Sequence, residues 1–398
     1  MKIGIYGGTF DPPHLGHMEA ARAAVAVLGL DKLLFVPAKQ PPHKQVSEGS
    51  AAPEHRLAMT ELMADGLLLP GIAEASALEL ERPGKSYTVD TLKQLKERFP
   101  RDELWLLMGT DMFLTLPNWY EADQIMDMAA VAAFARTESD SGEALETQGN
   151  YLSQTYGARV QIIQLPQIRE ISSTQVRRRG TGEGLWPPVW GYILRHGLYG
   201  TPGSLKGLSD ADLRAVSYSM IRAKRIAHVQ GTEEEAVRLA RHWGADEEHA
   251  RRAAILHDCT KYWGLEENLA LCAKYHMELD EMERGAVKLL HSKTGALLAR
   301  FVFGEAEEVC QAICWHTTGK ADMTALEKIL YIADYMEPTR AFEGVEKLRE
   351  LAYTDLDAAV LFGTEMSVEE MTQRGSPIHP NTLAARDYLW ETMGQREK

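Results

Sequence analysis

The stretch Lys2-Ile-Gly-Ile-Tyr6-Gly7-Gly8-Thr9-Phe10-Asp11-Pro12-Pro13-His14-Leu15-Gly16-His17 decides the fold of the first half of this chain. Lys2–Tyr6 reads as a buried strand, and the residues from His17 to Leu28 read as a helix. Between them lies a turn with two adjacent glycines and two histidines three apart. Glycine lets backbone approach an anion closely, and the free N–H groups at a helix start favour negative charge. His14 and His17 can therefore donate to the same phosphate oxygens. The alternative, a tight turn with two incidental surface histidines, does not explain why strand, glycine pair, His-x-Gly-His and helix start coincide.

Outward from this turn the same rhythm continues. Lys32–Pro37, Leu104–Gly109, Val131–Arg136 and Val160–Leu165 read as buried strands, and Pro53–Leu68, Thr88–Phe99 and Pro187–Arg195 as helices. Strands alternating with helices predict βαβ units and a parallel sheet. Thr137–Gly149 is polar and acidic without periodicity and reads as a surface loop. Gly197-Leu-Tyr-Gly-Thr-Pro-Gly-Ser204, with three glycines and a proline, is the linker candidate. Beyond it the strand signals stop, and helical periodicity runs through Ala211–Val229, Glu233–Trp243, Glu247–Leu256 and Thr324–Tyr335. The expectation is an α/β domain over 1–200, a linker over 201–207 and an all-α domain over 208–398.

Composition agrees with two globular domains. The 398 residues are 45% hydrophobic and 25% charged, and a chain of this length suits two cores of about 200 residues each. A net charge of −14 speaks against general attraction to nucleic acid. No apolar stretch approaches the length of a membrane span. The four cysteines, Cys259, Cys272, Cys310 and Cys314, form no CxxC pair and read as free thiols in a reducing compartment. The strand begins at once after Met1, so no signal peptide is expected, and the expected location is the cytoplasm. Oligomeric state stays open, a homo-oligomer among the alternatives.

The N-terminal half resembles the His-x-Gly-His nucleotidyltransferase superfamily and, within it, bacterial nicotinate-nucleotide adenylyltransferases. The stretches that carry the resemblance are the loop above, Pro41-Pro-His-Lys44, Arg82-Pro-Gly-Lys-Ser86-Tyr-Thr88-Val-Asp-Thr91, Gly109-Thr-Asp111, Asn118-Trp119-Tyr120, Ile171-Ser172-Ser173-Thr174-Gln-Val-Arg177 and Pro188–Tyr199. A Rossmann-like fold is implied, as is transfer of the adenylyl group of ATP to nicotinate mononucleotide. The phosphate of the mononucleotide attacks the α-phosphorus in line, and pyrophosphate leaves with Mg²⁺. Positioning and charge stabilisation then carry the catalysis. The resemblance implies that Gly7, Gly8, Thr9 and Phe10 meet the nucleotide and that His14, His17, Lys44 and Arg177 are catalytic. Ile171, Ser172, Ser173 and Thr174 would contact ATP phosphates. Ser86, Thr88, Trp119 and Tyr120 would line the nicotinate pocket, and Gly109 and Asp111 would help hold the nucleotide.

In the second half the leading feature is His257-Asp258 at the end of a helical run. Adjacent helical residues point about 100° apart, so both can bind one metal only near a helix end or an irregularity. His228, His291, His316 and Asp334 complete the order His…His-Asp…His…His…Asp. Asp334 sits in an apolar helix, where an unpaired carboxylate is costly to bury. Imidazole with carboxylate suits Fe, Mn, Co or Zn. Cys310 and Cys314 read as core thiols, and His242, His249 and His276 as surface residues.

This half resembles HD-domain symmetrical diadenosine-tetraphosphate hydrolases over Arg225-Ile-Ala-His228, Ile255–Lys261, Leu289-Leu-His291, Ile313–Gly319, Ile332–Arg340 and Pro377–Thr382. Lys320 departs from that pattern, where arginine is more usual. The resemblance implies iron, or another transition metal such as Mn or Co, on His228, His257, Asp258 and Asp334. Lys261 and Arg340 would act on the polyphosphate. His291, His316, Thr317 and Pro377, Ile378, His379, Pro380, Asn381 and Thr382 would contact the nucleotide, with a second metal on His291 and His316 left open. The products would be two ADP. Two other readings compete: a nucleotide-sensing HD module without turnover, and an RNA-linked protein, against which the acidic balance speaks.

Overall fold

The computed structural model describes residues 1–41, 49–135, 142–165 and 171–396. The chain divides into two compact units, Met1–Thr201 and Pro202–Lys398.

The first unit is built on six strands: β1 (Lys2–Gly8), β2 (Lys32–Pro37), β3 (Ala73–Ala75), β4 (Glu103–Gly109), β5 (Ala130–Ala135) and β6 (Val160–Gln164). All neighbouring pairs are parallel, in the order β3-β2-β1-β4-β5-β6. The helices are α1 (Leu15–Leu28), α2 (Pro53–Asp65), α3 (Leu78–Glu81), α4 (Thr88–Arg98), α5 (Thr110–Thr115), α6 (Ala122–Met128), α7 (Gly142–Tyr156), α8 (Ser173–Arg179) and α9 (Pro187–Arg195). Both sheet faces are covered, which is why the strands read as continuous apolar runs. On one face Ile3, Ile5, Val131 and Ala133 pack with Val89, Leu92 and Ile125 of α4 and α6. On the other, Leu33, Phe35, Ala132 and Phe134 pack with Met18, Met59 and Val189 of α1, α2 and α9. Each fully buried Leu, Ile or Phe contributes about 1.5–3 kcal/mol. In this strand order the winding reverses between β1 and β4, and ligands bind at the carboxyl ends there.

Two expectations change. Gly142–Gly149, expected as loop, lies in α7, whose Leu145, Gly149 and Leu152 are buried; its apolar positions are too sparse to announce a helix. Part of the linker candidate is built into the first unit: Leu198–Gly200 forms a short turn, and the Tyr199 hydroxyl donates to Asp11 Oδ1 at 2.7 Å.

The described elements of the second unit are all helices: α10 (Asp210–Tyr218), α11 (Ala223–Trp243), α12 (Glu247–Leu256), α13 (Leu265–Lys274), α14 (Glu281–Gly285), α15 (Val287–Leu298), α16 (Glu307–Trp315), α17 (Ala325–Met336), α18 (Val345–Thr354), α19 (Leu356–Gln373) and α20 (Pro380–Arg396), with a π-helical turn at Ala299–Phe303. The run Ala211–Val229, expected as one helical stretch, breaks at 219–222 between α10 and α11. Glu233–Trp243 instead continues α11. Helices α11, α12 and α17 pack together, and α16 packs on both α12 and α15. Gly295 on α15 lets that helix come close: a Cβ there would stand 3.1 Å from Ile313 Cγ2 and 3.5 Å from the His257 carbonyl.

Candidate active sites

In the first unit the loop after β1 and the residues after β4 face each other across the switch point. A cavity of about 400 Å³ is lined by Gly7, Gly8, Thr9, Ser86, Thr88, Gly109, Trp119 and Tyr120 among others. A polar recess of about 270 Å³ is lined by His14, Gly16, His17, Asp111 and Ile171, and shares Gly7, Gly109 and Met112 with the cavity.

The histidine pair is tightly arranged. Their ring centroids are 3.8 Å apart, and the His14 backbone N–H donates to His17 Nδ1 at 3.1 Å. Nδ1 of His17 being an acceptor, its neutral ring carries the proton on Nε2, which makes Nε2 a donor suited to phosphate. Gly16 between them leaves the His14 ring room, since a Cβ there would stand 3.1 Å from His14 Nδ1. Phe10 is buried, with its ring against Gly8, Tyr6, His17 and Phe35. Trp119 both lines the cavity and packs on the core. Ser86 lines the cavity too, and its Oγ accepts from the backbone of Lys39 (3.0 Å) and Gln40 (3.4 Å). Lys44 lies outside the described residues.

Helix α8 is tied to the histidine loop. Ser172 caps it in a reciprocal capping box with Gln175. Ser173 Oγ donates to the Pro12 carbonyl at 2.9 Å, and Arg177 donates to the Asp11 carbonyl and reaches Asp11 Oδ2 at 3.3 Å. Thr174 Oγ1 is 3.5 Å from Arg177 Nη2. Sequence reasoning missed two supports. Buried Asp11 also accepts from Ala51 N–H (3.1 Å). Arg56, 1% exposed, donates to the carbonyls of Thr9 (2.8 Å), Ala38 (2.7 Å), Lys39 and Ala51. A buried cation three residues after a proline leaves no signature that separates it from a surface arginine.

In the second unit five helices bring the expected ligands together. His228 projects from α11, His291 from α15 and Asp334 from α17; His257 and Asp258 follow α12, and His316 follows α16. Because α12 ends at Leu256, adjacent His257 and Asp258 can face the same point. Asp258 is shared: with His228 and His257 it forms one potential metal group, with His291 and His316 another. Asp258 Oδ2 stands 3.9 Å from His228 Nε2 and 3.6 Å from His257 Nε2. Asp258 Oδ1 stands 3.3 Å from His291 Nε2 and 4.0 Å from His316 Nε2. Asp334 Oδ1 is 3.0 Å from His228 Nε2 and 3.8 Å from His257 Nε2.

The donor chemistry fits a cation. Nδ1 of His257, His291 and His316 each lies 2.6–2.7 Å from a backbone carbonyl, which only accepts. Their Nε2 atoms therefore bear lone pairs, and the ring nitrogens converge: His228 Nε2 lies 3.3 Å from His257 Nε2, and His291 Nε2 lies 3.1 Å from His316 Nε2. Facing lone pairs repel unless a cation lies between them. Ligands bonded at about 2.0–2.2 Å to one ion stand about 3–3.5 Å apart, close to these distances. Burial pushes His257 down to about 4 and His316 well below the usual imidazole range, so both stay neutral. Burial alone would raise Asp258, but His257, His291 and Lys261 outweigh it and hold its carboxyl well below the usual range. In Asp334 burial is likewise the largest influence, and its contacts with His228 and His257 overcome it and hold the carboxyl well below the usual range.

Three cations surround the cluster. Lys261 Nζ donates to Asp258 Oδ1 (3.1 Å), Arg340 Nη2 to Asp334 Oδ1 (3.2 Å) and Arg225 Nε to Asp258 Oδ2 (2.6 Å). Arg225 carried no expected role, although its place three residues before His228 puts it on the same helix face. Thr317 Oγ1 lies 3.3 Å from His316 Nε2. In the stretch Pro377–Thr382, Thr382 Oγ1 donates to the Thr318 carbonyl (2.9 Å), and His379 Nε2 is 2.8 Å from Asp280. The four cysteines are buried and free, with Cys314 Sγ 3.6 Å from Lys293 Nζ. Among the described residues no helix is long and apolar enough to cross a membrane.

These elements define a nucleotidyltransferase-type α/β unit followed by an HD unit. Residues 5–179 match the cytidylyltransferase-like family, and residues 225–339 match the HD domain. The N-terminal half is 37% identical over 201 residues to the "Probable nicotinate-nucleotide adenylyltransferase" of Listeria monocytogenes serotype 4a, covering 50% of this chain and 97% of that protein. With a protein of the same name from Thermus thermophilus it is 39% identical over 206 residues, covering 50% of this chain and 100% of that one. A solved structure from Clostridium acetobutylicum, titled a predicted HD superfamily hydrolase involved in NAD metabolism, is 38% identical, with a TM-score of 0.45; the match covers 46% of this chain and 98% of that chain. Through its N-terminal half, the chain belongs to the nicotinate-nucleotide adenylyltransferase family, and its C-terminal half carries an HD domain.

Proposed function

We propose that the chain is bifunctional: its first unit makes nicotinate adenine dinucleotide, and its second hydrolyses diadenosine tetraphosphate symmetrically. The observation that carries the first reading is the apolar cavity at the switch point continuing into the recess of His14 and His17. ATP enters as its Mg²⁺ complex. A 5′-phosphate oxygen of nicotinate mononucleotide attacks the α-phosphorus, the bond from that phosphorus to the bridging oxygen of the β-phosphate breaks, and pyrophosphate leaves. No covalent enzyme intermediate forms. His17 Nε2–H and His14 stabilise charge on the transferring phosphoryl group. Ser173, Thr174 and Arg177, held against the same loop, hold the phosphates, and Lys44 assists. Trp119 and Tyr120 flank the pyridine ring, with Thr88 beside it.

In the second unit, His228, His257, Asp258 and Asp334 would hold a divalent transition metal. When bound, such an ion supplies Lewis acidity toward a phosphoryl oxygen and toward water. Lys261, Arg340 and Arg225 neutralise the polyphosphate, while His291, His316 and Thr317 orient the phosphoryl group. Water cleaves the central phosphoanhydride bridge, and each half leaves as ADP.

The test is one panel of variants assayed for both reactions, with metal content measured alongside. His17→Ala lowers adenylyl transfer by about 10²–10³ with unchanged circular dichroism and unchanged hydrolysis. Asp258→Ala abolishes hydrolysis and lowers bound metal while leaving adenylyl transfer near wild type. Near-normal transfer in the first variant sinks the N-terminal reading. ATP plus AMP as products, in place of two ADP, sinks the symmetrical assignment. No release from any dinucleotide leaves a nucleotide-sensing module.

A further inference from the structure

Each histidine of the metal cluster needs its Nδ1 proton held outward if Nε2 is to offer a lone pair. For His257, His291 and His316 the local chain does this, through the carbonyls of Ala254, Lys288 and Ile313, each three residues earlier. His228 differs. Its Nδ1 lies 3.0 Å from Oε1 of Glu337, which is 109 residues away and 0% exposed. Glu337 in turn accepts from Thr339 N–H (2.6 Å) and Thr339 Oγ1 (2.5 Å).

Burying a carboxylate is unfavourable unless it is paired and hydrogen-bonded. The fold makes a second concession for it. Gly231 lies mid-helix in α11, where glycine costs about 1 kcal/mol relative to alanine. A Cβ at that position would stand 2.6 Å from Glu337 Oε2 and 3.1 Å from Pro338 Cδ. Arg340 Nε stands 3.7 Å from Glu337 Oε1, and the buried charge and the helical glycine share one result. Both place one carboxylate behind one imidazole.

We propose that Glu337 is a positioning residue for the metal cluster: it locks His228 in the Nδ1–H form and strengthens Nε2 as a ligand, and Gly231 gives it room. This rests on the reading of His228, His257, Asp258 and Asp334 as metal ligands. A carboxylate behind a ligating imidazole fixes its tautomer and raises its basicity, and loss of such a partner weakens metal binding by about 10–100-fold. Glutamine at this place keeps the volume but turns an NH₂ either toward the Thr339 N–H or toward His228 Nδ1. In the second arrangement the imidazole must accept at Nδ1, and its proton moves to Nε2.

The experiment uses the full chain with Mn²⁺ as probe, comparing wild type, Glu337→Gln, Gly231→Ala, His228→Ala and Asp258→Ala by equilibrium dialysis. Imidazole ¹⁵N resonances of the metal-free chain report the His228 tautomer. Glu337→Gln is expected to weaken Mn²⁺ binding by about 10–100-fold and to move the His228 proton from Nδ1 toward Nε2. Gly231→Ala weakens binding in the same direction. Wild-type affinity in Glu337→Gln, with binding lost in His228→Ala, overturns the role of Glu337. Weakened binding with the His228 ¹⁵N resonances wholly unchanged overturns it too, because the loss is then one of packing. If His228→Ala and Asp258→Ala bind Mn²⁺ like wild type, the metal reading itself falls, an outcome separate from both.

Discussion

Single side chains do their work here by fixing backbone and tautomers as much as by facing substrate. His17 gains its Nε2 donor from a backbone N–H on Nδ1, and His257, His291 and His316 gain their Nε2 lone pairs from carbonyls on Nδ1. The same ring thus offers a donor in one unit and a lone pair in the other. Arg56 shows the same logic in a purely supporting role. Its guanidinium is buried among four carbonyls and joins the loop after β1 to the one after β2. Hydrogen bonds to a charged group contribute about 1.5–3 kcal/mol each. Arg56→Met leaves those carbonyls without their donor and is expected to lower stability by at least about 3 kcal/mol in urea unfolding of the first unit. An unchanged midpoint would mean that the loops hold without it.

At the scale of elements, helix ends place the chemistry. Helix α1 opens at the histidine pair, α12 and α16 stop so that His257, Asp258 and His316 can turn inward, and α8 is clamped to Asp11 and Pro12. The α8 clamp depends on its capping box. Replacing a serine N-cap costs about 1 kcal/mol, so Ser172→Ala is expected to loosen the first turn of α8. Through Ser173 and Arg177 this raises KM for ATP several-fold with a smaller change in kcat. Steady-state kinetics over a range of ATP check it. A fall confined to kcat would show that α8 acts on the transition state rather than on ATP binding.

At the scale of the whole molecule, each unit has its own buried residues, and the described residues of each candidate site lie within one unit. Units of this kind unfold as separate cooperative blocks. Calorimetry of the full chain is therefore expected to show two transitions. Only the second should rise with added Mn²⁺, by an amount equivalent to about 2.7 kcal/mol when the ion stands at 100 times its Kd. Stripping the metal should lower that transition alone and leave adenylyl transfer near its starting rate. A single transition shifted as a whole would show that the units are one cooperative body.

The sequence by itself determined the class of each half. Continuous apolar runs mark strands, glycines and His-x-Gly-His mark the candidate phosphate loop, and the order of histidines and aspartates marks the candidate metal ligands; each signal lies in residue types and their order. Helix α7 escaped because its few buried positions, Leu145, Gly149 and Leu152, are too sparse to set a period. Only the tertiary structure decided that Asp258 is shared by two histidine pairs, that Arg225 lies against it, and that Glu337 stands behind His228 from 109 residues away. It also turned His379 and Thr382 toward Asp280 and Thr318. Such pairings come from packing between elements distant in the chain, and no spacing in the sequence records which helix faces will meet.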